Sequence, residues 1–187
     1  MSNPRIFPML STLLAAAFLV TATLSTANSQ QPPPNPIAAG CGAGDANFKV
    51  THDTTNPAPQ QIPPGKALVY IVEYMHPVPL LTTKVNIGLD GNWLGATENE
   101  TYVSFLVDPG IHHLCAIYQG HAVGMDSEGE TLLLQLHAKA GTTYYLRYHA
   151  FFSKESGGLA FFDPVDEDEG QLLLQYASHA TSVLKKK

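Results

Sequence analysis

The chain has 187 residues, two cysteines and a formal net charge of −6. Its only lysine cluster is the terminal run Lys185–Lys187, so no basic face for nucleic acid is available, and that run reads as a solvated end. Aromatic and β-branched residues are too plentiful for a disordered chain, which leaves a folded domain with a hydrophobic core.

Residues 1–29 read as a secretory signal peptide. Arg5 supplies the positive start, and Met9 to Leu24 is apolar, broken only by Ser and Thr. Small residues follow at Ser25, Ala27 and Ser29, allowing cleavage after Ala27 or Ser29. The alternative is an uncleaved membrane anchor. No basic stop-transfer flank follows, so export with cleavage is the expectation, with no stable membrane span left afterwards. Removal would leave about 157 residues, enough for one domain, with a charge near −7 because Arg5 goes with the leader.

Residues 30–40 form a Pro-rich linker. Ala38-Ala39-Gly40-Cys41 has the look of a lipoprotein cleavage box. A polar, proline-rich spacer separates it from the apolar stretch, which argues against lipidation. Two cysteines in an exported chain point instead to a Cys41–Cys115 disulfide that pins the N-terminal segment. The rival is a nucleophilic Cys115 helped by His112 or His113. Only His113 would share its strand face, and no third group is visible.

The folded domain is expected over residues 41–180. Phe48 to His52 is a short strand, followed by a loop from Asp53 to Gly65 that carries four prolines. Lys66 to Met75 is almost continuously apolar and predicts a central strand buried on both faces. His76-Pro-Val-Pro79 breaks it. The stretch Lys84–Ala116 then organises the rest. Strands flank the Asp90-Gly91 and Asp108-Pro109-Gly110 turns, and Tyr102, Ser104 and Leu106 alternate with Val103, Phe105 and Val107.

These motifs carry a family resemblance. The strand from Lys66, the Leu89-Asp-Gly-Asn-Trp-Leu-Gly95 turn and the run from Tyr102 through Val107-Asp-Pro-Gly-Ile-His-His-Leu114 resemble the bacterial family called domain of unknown function 2846. The likeness covers roughly Lys66 to Phe162. It implies an exported β-domain, often a lipoprotein, and brings no catalytic residues or cofactor with it. The misplaced cysteine sets this chain apart from the lipoprotein members.

Gly120 to Glu130 reads as a loop. The alternating Asp126, Glu128 and Glu130 lack the glycine and terminal glutamate of a hand-type calcium loop. Thr131–Ala138 and Thr142–Phe152 are expected to form a hairpin through Lys139–Gly141, and Leu159–Phe162 a last strand. The carboxylates Asp166 to Glu169 open a helix to about His179, where they favour its positive end. Its apolar stripe is Leu172, Leu173 and Tyr176. Residues 181–187 are read as a basic tail.

Eight histidines invite a metal reading. No His-x-His, Cys-x-x-Cys or His-Glu-x-x-His pattern occurs, and His112 and His113 point to opposite faces. A metal site would have to be assembled across strands, for instance from His113, His137 and His149. Trp93 is placed either to cap a ligand groove or to cover the end of the core. Asn99-Glu-Thr101 is a glycosylation sequon, relevant only in a eukaryotic host.

The resulting expectation is a mainly β, antiparallel sandwich of seven or eight strands with one C-terminal helix. The leading function is a non-enzymatic binding or structural domain of the periplasm or cell envelope, with an envelope protein or glycan as partner and no cofactor. A metal protein or hydrolase using histidines and carboxylates is the first alternative. A carrier of a small apolar ligand is the second.

Overall fold

The computed structural model describes residues 39–44, 46–53, 61–74, 83–119, 131–153 and 157–185. All fall in one compact unit, Pro33–Lys187. The expected leader, the Asp126–Glu130 acidic loop and the last two lysines lie outside the described residues.

The described residues contain ten strands and one helix: β1 (Phe48–Asp53), β2 (Ala67–Glu73), β3 (Lys84–Leu89), β4 (Asn92–Glu98), β5 (Thr101–Val107), β6 (Gly110–Tyr118), β7 (Thr131–Ala138), β8 (Thr143–Ser153), β9 (Gly157–Val165), α1 (Glu167–Tyr176) and β10 (Ser178–Leu184). They form a six-stranded sheet in the order β1-β10-β5-β2-β8-β9 and a four-stranded sheet in the order β4-β3-β6-β7. Among the described residues the fold is therefore mainly β, with one helix among its ordered elements. The expectation of an antiparallel arrangement of about seven or eight strands is corrected in part: the described residues hold ten strands, and the larger sheet is mixed, since β2 pairs with β8 and β10 with β5 in parallel.

The continuous apolar run of β2 makes it the centre of the larger sheet, and all seven of its residues are buried. Ala67, Val69 and Ile71 face a core shared with Val85, Ile87, Leu114, Ala116 and Leu136 of the smaller sheet. Leu68, Tyr70 and Val72 face the other way, into a cluster with Tyr102, Tyr145 and Leu173 of α1. A strand covered on both faces has no polar side to alternate with, which explains the unbroken hydrophobic sequence.

Turn motifs serve two different purposes here. Asp90 and Gly91 take φ of 48° and 77° and close a true β3–β4 hairpin. Asp108-Pro109-Gly110 instead hands the chain from β5 in the larger sheet to β6 in the smaller one. The connection through Gly141 (φ 74°) does the same between β7 and β8. The predicted β7–β8 hairpin is thus incorrect. The two strands face one core from opposite sheets, and an apolar alternation is the same in either case.

The carboxylate-rich start of the helix is as expected. Asp166 caps it, its Oδ1 accepting the Glu169 N–H at 2.9 Å. The helix ends at Tyr176 rather than near His179, and the chain returns as β10 through Leu184, so residues 181–184 lie in a strand. β10 runs antiparallel to the whole of β1 but touches β5 over only two register pairs, Ser178 with Thr101 and His179 with Tyr102. Ser182 Oγ accepts the backbone N–H of Ala96 at 3.0 Å, tying β10 to the edge of the smaller sheet.

Candidate functional site

The chemistry-bearing side chains gather in three places, and the most unusual one surrounds Glu73. Strand alternation turns this last residue of β2 toward the space between the sheets, where it is fully buried. Thr83, Thr97 and Thr101 are buried around the same end of the core. The Thr83 hydroxyl makes a very short contact to Glu73 Oε1 and lies 3.3 Å from Asn99 Oδ1, which also accepts the Thr83 backbone N–H at 3.0 Å. Asn99 holds a positive φ of 54°, and its N–H returns to the Thr83 carbonyl at 3.1 Å. Thr101 Oγ1 accepts the Glu98 N–H at 2.9 Å. The end of β2, the start of β3 and the β4–β5 turn are thereby clasped together.

Burial pushes the Glu73 carboxyl up to about 8, against the pull of the Thr83 and Thr97 hydroxyls and the Asn99 backbone, with the nearby Glu98 charge adding to the rise. Thr97 is near enough to exert that pull without reaching hydrogen-bond geometry. Among the described residues, Glu73 Oε2 and Thr97 Oγ1 have no hydrogen-bond partner.

The second place joins the two turns. Asp90 Oδ2 lies 2.6 Å from His112 Nδ1, and Asp90 Oδ1 accepts the His113 N–H at 2.8 Å. The other ring nitrogen, His112 Nε2, is 2.8 Å from the Asp108 carbonyl. A carboxylate and a carbonyl both accept, so both ring nitrogens donate and His112 is an imidazolium. Burial would lower its pKa, but the Asp90 and Asp108 hydrogen bonds outweigh this and raise it. Burial likewise works against Asp90, yet the His112 and His113 bonds lower its pKa. With both nitrogens committed, His112 is neither a general base nor a metal ligand.

The third place is the outer face of the smaller sheet. Cys41 and Cys115 form a disulfide with Cα atoms 5.3 Å apart, both residues buried. This is the expected pairing, and the rival of a nucleophilic Cys115 falls with it, since neither cysteine is free. The backbone of Gly40–Gly42 lies directly on β3 and β4. A Cβ on Gly88 would stand 2.7 Å from the Gly40 carbonyl oxygen, and one on Gly42 would enter the Trp93 ring. Trp93 packs on this strap, and its Nε1–H donates to the Gly44 carbonyl at 3.2 Å. It therefore covers the N-terminal segment, and the ligand-groove reading of Trp93 is not supported by its surroundings.

Of the three histidines weighed as metal ligands, two come together. Gln135 sits between His113 and His137 on β6 and β7, at 3.4 Å and 3.2 Å from their Nε2 atoms. His149 belongs to the other sheet, stacked on Phe161 with ring centroids 4.9 Å apart. Burial, then the Arg147 charge, lowers its pKa. The predicted trio is not one site, and among the described residues no three His, Cys, Asp or Glu side chains are grouped to hold a metal. Asp166 to Glu169 act as helix-start residues: besides the Asp166 cap, Glu169 pairs with Arg147 and Glu167 accepts from Gln171.

Sequence reasoning missed the Glu73 cluster. Its one signal is an acid ending an otherwise apolar strand, Ile71-Val72-Glu73. No family model, curated protein or solved structure matches the chain.

Proposed function

We propose that this is an exported, non-enzymatic binding or structural domain of the cell envelope, a two-sheet sandwich whose partner is an envelope protein or glycan. The observation that carries the reading is the buried Cys41–Cys115 disulfide, a bond that persists in oxidising compartments and is rare in the cytosol. The leader-like N-terminus supports it further. So does the use made of the reactive side chains. His112 and Asp90 fasten two turns, Glu73 and its threonines fasten three strand ends, and His149 lies against Phe161. Each spends its chemistry on the fold. No helix among the described residues is long and apolar enough to cross a membrane.

The test is to express the whole chain in a bacterium, fractionate the cells and weigh the purified protein. The expected product is periplasmic, cleaved after Ala27 or Ser29, and about two daltons lighter than its reduced form (two hydrogens lost per disulfide). It should also be retained on isolated cell-wall glycan or crosslink to an envelope protein. A cytosolic, fully reduced product would overturn the reading.

A further inference from the structure

We propose that Glu73 carries a proton in the native fold at neutral pH, and that losing it opens the clasp between β2, β3 and the Asn99 turn, making this end of the core an alkali-sensitive catch.

The Thr83 hydroxyl owns one hydrogen but faces two acceptors, Glu73 Oε1 and Asn99 Oδ1. If Glu73 is ionised, one of those contacts sets oxygen lone pairs against each other. A proton on Glu73, donated to Thr83 Oγ1, frees the threonine hydrogen for Asn99 and satisfies both. The neutral acid is the state that fits the geometry.

Charge leads to the same place. A buried carboxylate needs a cation or several donors. β3 carries one cation, Lys84, and its Nζ is already 3.6 Å from Glu98 Oε2. From β4, Glu98 itself repels a second negative charge. From β6 comes Tyr118, whose phenol is raised by burial and by Glu73. From β8, the residue in register is Tyr148, buried in the shared core. None of these described neighbours neutralises an ionised Glu73, and its second oxygen has no hydrogen-bond partner among the described residues. The raised carboxyl value, about 8, agrees with this.

The sign follows from linkage. The native state holds a proton that the unfolded chain gives up near its ordinary value of 4.5, so stability is highest below that and falls as pH rises toward about 8. In that window the unfolding constant rises by up to about tenfold per pH unit. Thr83 and Asn99 lose their hold first, because the bonds that end with the proton are theirs.

The experiment uses the mature, disulfide-bonded protein. Its glutamates are labelled at the carboxyl carbon and followed by NMR from about pH 4 to 10, a span covering the ordinary and raised values. Urea midpoints of wild type and Glu73→Gln are measured over the same range. One glutamate should titrate near 8, with the wild-type midpoint falling more steeply through that window than that of the Gln variant, a neutral mimic that keeps only the His112 dependence. The Thr83 and Asn99 amides should lose exchange protection above that pH while Cys115 keeps its own. Should every glutamate titrate near 4.5, or the two pH profiles superpose, the proposal fails. If the variant does not fold, the wild-type carbon titration decides alone.

Discussion

A histidine ring between two acceptors has its protonation chosen for it, and His112 is such a ring. Its link to Asp90 should make stability depend on pH in a bounded window. His112 is raised from 6.5, so its contribution is complete below that value and lost as pH climbs through the folded value. Asp90 is lowered from 3.8, so its contribution is complete above that value and lost as pH falls through the folded value. The pair is worth most between these two ordinary values. His112→Ala should cost about 1 kcal/mol there, a figure kept small because Asp90 is 42 % exposed and water screens the pair. The cost should shrink in alkali. Urea denaturation at mildly acidic and alkaline pH checks this, and an equal cost at both would show that the ring matters only by packing. The sequence placed His112 and His113 on opposite faces of a strand, because alternation is local geometry. It could not place Asp90 beside His112, since that requires two residues 22 apart in the chain to meet where two turns come together. Glu73 was illegible for the same reason. Its neighbours Thr83, Thr97 and Asn99 come from just before β3, from β4 and from a turn, and nothing in Ile71-Val72-Glu73 names them.

At the scale of elements, strands and turn chemistry were readable while strand partners were not. Asp90-Gly91 and Asp108-Pro109-Gly110 both specify a reversal of the chain. Whether that reversal makes a hairpin or a crossing between sheets depends on which face is buried against what, and both outcomes occur. The helix was readable because capping is local: Asp166 accepts the Glu169 N–H whatever lies beneath. What lies beneath is Tyr145, against which Gly170 packs so closely that a Cβ would stand 2.2 Å from the ring. The strap makes a similar demand of β3. In Gly88→Ala the new methyl would meet the Gly40 and Cys41 backbone at 2.7 Å and 2.9 Å, atoms that cannot rotate away as a side chain could. We expect a loss of about 1–3 kcal/mol, the range for overpacking a tight site. Faster reduction of the disulfide by a thiol reagent should accompany it, because the strap is lifted off the sheet. A variant with unchanged stability and reduction rate would mean the strap shifts without strain.

For the molecule as a whole, the question is what holds β1 and β10 in place. This two-stranded arm meets the rest of the larger sheet through only two register pairs on β5. Beyond those pairs it is held by the His179–Tyr102 ring contact, by Gln119, whose Oε1 accepts the Phe48 N–H at 2.7 Å, by Ser182, and by a small cluster in which Ala46, Phe48, Val50 and Ala180 pack with Ala96, Trp93 and Val103. The disulfide enters just before this arm and fixes Cys41 to β6, closing a loop over a sequence separation of 74 residues. Chain entropy alone would give such a closure about 4 kcal/mol. The bond therefore stabilises the least anchored part of the fold against the best anchored part. Replacing both cysteines with serine should lower stability by up to that amount, and the loss should not be uniform. Native-state hydrogen exchange should show β1 and β10 opening at a free energy well below that of β2, β5 and β8, as expected of a weakly attached unit. In the disulfide-bonded protein the two groups should lie closer together. If the serine variant instead lost protection equally across all strands, the arm would be an integral part of one cooperative core, and the disulfide would act on the unfolded chain alone.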